Sequence, residues 1–94
     1  MSRYYVVPKE APVWSTVARA VIDTPKGIVV IEIQSADIID NKTGDRFTDG
    51  AYRIVRNGKA KAGKGGTSPW FGETAYNFAK SAFDDAVFAT RREL

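Results

Sequence analysis

The chain has 94 residues, 44% of them hydrophobic and 27% charged, with a formal net charge of +3, no cysteine and no histidine. That length suits one domain, spanning 1–94, with a single core and little room for a deep substrate cleft. Without cysteine there is neither disulfide frame nor thiolate, and without histidine the usual neutral-pH acid–base group and the commonest zinc ligand are missing.

No apolar run approaches the ~18 residues that span a bilayer, and the start "MSRYYVVPKEAP" lacks the apolar core and cleavage site of a signal peptide. The expectation is a soluble cytoplasmic chain without membrane contact, in which the sequon Asn41-Lys42-Thr43 stands idle. Charge is distributed unevenly. Residues 32 to 50 carry a net −3, whereas residues 51 to 72 carry +5 and no acid. Such asymmetry marks either a partner surface or two neighbouring strands that neutralise each other.

"RYYVV", Arg3 to Val7, is β-branched and aromatic and reads as a strand, ended by Pro8. Pro8 and Pro12 bracket an extended connector. A second strand lies in Trp14 to Asp23, where Val17, Arg19 and Val21 alternate with Ala18, Ala20 and Ile22. "TPKG", Thr24 to Gly27, reads as a tight turn, and Ile28 to Ile33 as the most apolar and therefore central strand. Ala36 to Asp40 is expected to extend or bend that strand. "DNKTGD" is a turn, and its alternate positions, which include Lys42 and Gly44, do not suit a calcium loop.

"AYRIVR", Ala51 to Arg56, is the next strand, and Asn57-Gly58 signals a type I′ hairpin. Lys59 to Ala62 is a weak, short return strand. Ser68-Pro69 reads as a helix start with Trp70 as an apolar staple, although Gly72 delays the regular helix to about Glu73. From there the wheel places Phe71, Ala75, Tyr76, Phe78, Ala79, Ala82, Phe83, Ala86 and Val87 on one half. Phe88 falls on the polar half. It either tucks under the sheet at a frayed helix end or contacts a partner. The fold class is α+β: a small antiparallel meander of about four to five strands with one C-terminal helix packed across it.

Three motifs bear on chemistry. "GKAKAGKG", Gly58 to Gly65, follows a phosphate-binding Walker loop for seven positions and then has Gly65 where Ser or Thr must hold magnesium. No helix follows directly, so nucleotide binding is not expected. "GKGGTS" ahead of "AYNFAKSAF" resembles the end of a double-stranded-RNA-binding domain over about a quarter of the chain. "PWFGE" stands where that family's phosphate-contacting lysines would lie, and no helix precedes the sheet. The third motif is the hairpin itself. Arg56 would face Lys59 and Ile54 would face Lys61, with Tyr52 on the same side. Like charges set opposite each other are unfavourable unless an anionic surface relieves them.

No cofactor, metal or catalytic residue is expected, and no enzyme. The expected function is a small binding protein acting by surface contacts on a protein or ribonucleoprotein with an acidic surface. One concrete form is a virus-encoded inhibitor of a host defence complex. Arg53, Arg56, Lys59, Lys61 and Lys64 are the candidate steering charges, and Trp70 and Phe88 the candidate aromatic anchors. The alternatives are nucleic-acid binding through the same 53–64 hairpin, or a structural role in which an edge strand, "RYYVV", pairs with a neighbour.

Overall fold

A computed structural model describes residues 5–7, 14–60 and 69–92. In chain order the elements are β1 (Tyr5–Val6), β2 (Ser15–Thr24), β3 (Gly27–Asp40), β4 (Arg46–Arg56), β5 (Lys59–Ala60), β6 (Trp70–Phe71) and α1 (Ala75–Arg91). All strand pairings are antiparallel, and α1 packs on one face of the sheet, so the fold is α+β.

β3 organises the sheet. At ~3.3 Å per residue its 14 residues run about 46 Å, close to the 49 Å long axis of the molecule. On one side it pairs with β2 over Gly27–Ser35 and with β1 at Ile39 and Asp40. On the other it pairs with β4. The outer side of β4 is likewise shared between two short pieces. β5 lies beside Val55 and Arg56, and β6 lies beside Ala51 and Tyr52. The described strands thus fill four rows, and each outer row is broken. β2 to β5 follow one another as a meander.

The turns form for reasons visible in their residues. Pro25 and Lys26 join β2 to β3, and Gly27 takes a positive φ of 125° that a side chain would resist. Asn57 and Gly58 both adopt positive φ, 49° and 81°, as a type I′ turn requires. Asn57 also closes the ladder beyond Arg56: its Oδ1 accepts the Val30 N–H at 2.8 Å, and its own N–H donates to the Val30 carbonyl at 2.8 Å. Both hairpin tips therefore sit at the same end of the sheet.

The core lies between α1 and the adjoining sheet face. Ile22, Val29, Ile31, Ile33 and Ile54 meet Ala79, with Ala18, Tyr52, Trp70, Ala82, Phe83, Ala86 and Val87 packed around them. Alanines at the helix contact let its backbone approach the branched strand residues closely. Thr90 is buried with its hydroxyl donating to the Ala86 carbonyl, so its polar group is satisfied within the helix.

Several expectations need correction. Pro69 does not start a helix: Trp70–Phe71 is a strand, with Trp70 opposite Tyr52 and Phe71 opposite Ala51. The chain then turns at Gly72, whose N–H donates to the Gly50 carbonyl and whose φ is 95°. The helix follows Thr74, which supplies no side-chain cap. Trp70 therefore joins the core from a strand and not as a helix staple. β4 begins at Arg46, five residues before the predicted Ala51, because pairing with the far half of β3 extends it. On the helix, Tyr76 and Phe78 lie outside the core; Phe78 is 56% exposed, because α1 is narrower in its contact than half a wheel. The basic tract from Lys61 to Ser68, and Arg3 and Tyr4 of the predicted first strand, lie outside the described residues.

Candidate functional site

The side chains of β4 alternate between the two sheet faces. Tyr52 and Ile54 face α1, and Tyr52 meets Tyr76 edge-on at 5.4 Å between ring centroids. Burial raises the Tyr52 phenol above its ordinary pKa, with Asp49 and Tyr76 adding to the shift. The predicted common face of Tyr52, Ile54, Arg56, Lys59 and Lys61 is therefore, for its described members, the helix-covered face. Only its end, at Arg56 and Lys59, is exposed. Tyr52 is not presented as an open stacking platform.

Arg56 and Lys59 stand directly opposite each other across the type I′ turn. Among the described residues neither takes part in a salt bridge. Four of the five acids in residues 32 to 50 are engaged elsewhere, and among the described residues exposed Asp23, at the end of β2, is in no salt bridge with the pair. Glu32 receives Arg19 at 2.8 Å, and Asp37 receives Arg46 at 3.2 Å. Asp49 accepts the Ser35 hydroxyl at 3.0 Å. Asp40 accepts the N–H groups of Lys42 and Thr43 and so builds the β3–β4 turn. These four acids are thus satisfied across β2, β3 and β4, and none of them pairs with Arg56 or Lys59. Lys26, on the neighbouring β2–β3 turn, belongs to the same end of the sheet.

Arg53 is placed differently from the other predicted charges. It points to the face without the helix, is half-buried, and its Nε donates to Gln34 Oε1 at 2.9 Å. Its guanidinium lies 4.1 Å from the centroid of the Trp14 ring. Trp14 precedes β2 and Arg53 lies on β4, so the two side chains meet over β3. Buried Ala36 and Ala51 lie close by on the neighbouring pair. Desolvation pulls the Arg53 pKa down from its ordinary value. Beside this cluster, Glu32 takes hydrogen bonds from Arg19 Nε and Nη2 and from the Thr16 hydroxyl.

These two clusters give the helix-free face a fixed polar pattern that was not anticipated. The signal was present: Glu32 interrupts the apolar run Ile28–Ile33 and Gln34 follows it on the same face, and a charge there needs a partner. Hydrogen bonding and charge from Arg19 hold the Glu32 carboxyl below its usual pKa, against the opposing effect of burial. A depressed folded-state pKa contributes stability above the unfolded value, and that contribution is lost as pH falls through the folded one. Urea melts should therefore show extra destabilisation below about pH 4.3. Glu32→Gln is expected to lose stability at pH 7 and to show a smaller drop from pH 7 to pH 3. An unchanged drop would exclude Glu32 as a contributor.

Of the predicted anchors, Trp70 is half-buried against the core. Phe88 is exposed to 62% on the outer side of α1, where the Arg92 guanidinium lies 5.7 Å from its ring centroid. It does not tuck beneath the sheet. Lys61 and Lys64 lie outside the described residues. The structure thus joins Arg56 to Lys59, and sets Arg53 on the opposite face. Phe88 lies on the outer helix surface.

Among the described residues, no cluster of three or more acidic, histidine or cysteine side chains could hold a metal ion, and no helix is long and apolar enough to cross a membrane. Comparison with protein-family models, curated proteins and solved structures finds no match.

Proposed function

We propose that this chain is a non-enzymatic binding protein that engages a protein or ribonucleoprotein with an acidic surface through the cationic tip of its sheet. The observation that supports this is the Arg56–Lys59 pair. Two like charges face each other, and among the described residues neither takes part in a salt bridge. Such a pair costs a few tenths of a kcal/mol or more in isolation. An anionic surface removes that cost and gains from both charges. The type I′ turn sets the register of the pair, and Asn57 ties that turn to Val30 of β3. Lys61 and Lys64 continue the same positive tract in sequence.

The test is affinity capture from host extract with the purified chain, with and without nuclease, comparing wild type with the Arg56→Glu/Lys59→Glu double variant. Both residues are exposed, so folding should be retained and circular dichroism unchanged. Capture of an acidic protein that survives nuclease and falls about tenfold or more in the double variant is expected. Capture abolished by nuclease, together with equal binding of protein-free nucleic acid, would replace this reading with nucleic-acid binding, whose affinity should fall steeply with salt. Undiminished capture by the double variant would overturn the assignment of the tip.

A further inference from the structure

β2 is an edge strand with an unusually regular free side. Among the described residues it pairs only with β3, and nothing pairs with its outer edge. An irregularity between Thr16 and Ala18 disturbs its first part, and from Ala18 to Thr24 the register is continuous. This regular segment contains no proline, lysine or bulge, and of the devices that usually blunt an edge it carries only two charges, Arg19 and Asp23, which are of opposite sign. Its central residue is Val21, which is 61% exposed, and the neighbouring Ile28 is 60% exposed. Arg19 and Asp23 flank Val21 two positions to either side, on the same helix-free face.

We propose that Ala18–Thr24 pairs antiparallel with the same segment of a second copy of this chain, about a twofold axis at Val21. A twofold interface is self-complementary, so each residue meets its mirror position along the strand. With the axis at Val21, the two Val21 side chains adjoin. Arg19 then faces Asp23 of the second copy, and Asp23 faces Arg19 of the second copy. Opposite charges across an antiparallel pair are favourable, and here they occur twice. Moving the axis to Ala20 or Ile22 sets each charge against an aliphatic or turn residue, so the charges select one register. Arg19 uses Nε and Nη2 for Glu32, which leaves Nη1 for the second acid. The paired sheet would cover the exposed valines and satisfy the free backbone groups of both edges. Both helices then lie on one face of the continuous sheet.

Light scattering coupled to size exclusion tests this on the full chain. The expected mass is twice 10.3 kDa, falling toward one copy on dilution. Val21→Lys sets two charges against each other at the axis. It should be monomeric at concentrations where the wild type is dimeric, with an unchanged circular dichroism spectrum. Because the chain has no cysteine, single-cysteine variants report the register directly. With a short bismaleimide, Val21→Cys should cross-link to a dimer and Ser15→Cys should not. A wild type that stays monomeric at its highest soluble concentration would overturn the proposal. So would a dimeric Val21→Lys, or equal cross-linking at the two positions.

Discussion

Ile33→Ala is expected to lower the unfolding free energy by about 2–5 kcal/mol, the largest loss of any single substitution considered for this protein. Ile33 is fully buried, lies between Ala18 on β2 and Ile54 on β4, and belongs to the cluster that receives α1 at Ala79. Three neighbours in that cluster, Ile31, Val29 and Ile54, are β-branched and held by strand backbone, so they collapse little into a void. A domain of this size has about 5–15 kcal/mol in total, so the variant should sit near its stability limit. Urea denaturation checks it: the midpoint should fall while the slope stays constant. Phe88→Ala, on the outer helix surface, is the control and should change stability by less than about 0.5 kcal/mol. Equal effects at the two positions would show that the core has been misplaced.

Gly50→Ala should cost about 1–3 kcal/mol, although it adds one methyl group. Gly50 lies where the β3–β4 register shifts, next to Asp49 at φ 53°. A Cβ built on Gly50 falls inside the contact shell of Ile38 Cγ1 and Cδ1. Ile38 is itself buried and cannot swing into solvent without exposing that side chain. The Gly50 carbonyl also accepts the Gly72 N–H, so a backbone shift would loosen the tie between β4 and the turn that joins β6 to α1. Ile38→Ala in the Gly50→Ala background should recover part of the loss. A double-mutant cycle that is strictly additive would mean the two side chains do not compete for the same space.

Most of the secondary structure was legible because its signals are local. Asn57-Gly58 demands positive φ at two successive residues, and few other pairs provide it. The alternation of Ala18, Ala20 and Ile22 with Val17, Arg19 and Val21 marks a strand with one apolar face, and β2 buries that side. The helix was legible from its period, but its start was not. "SPWFG" contains a sound capping signal in Ser68-Pro69, yet Trp70 and Phe71 gain more by pairing with Tyr52 and Ala51 of β4. That pairing joins segments about twenty residues apart, and no local rule reports it. The exposure of Phe78 and Phe88 was illegible for the same reason, since a wheel shows which residues share a side and not how wide a stripe the sheet covers.

The candidate site divides along the same line. The sequence by itself determined that Arg56 and Lys59 face each other, because a two-residue turn sets the register of the strands it joins. It also determined that the chain is an α+β domain, because strand and helix periods are carried in short windows. Only the tertiary structure decided that Asp37 pairs with Arg46. Arg19 faces Glu32 in the register set by the β2–β3 turn, but Asp37 meets Arg46 across an irregular β3–β4 register that no turn rule gives. Only it placed Arg53 over Gln34 and under Trp14, away from the tip. It also left the edge of β2 open among the described residues. Charge can be counted from composition, but whether it is spent depends on which side chains the sheet brings within about 4 Å of each other.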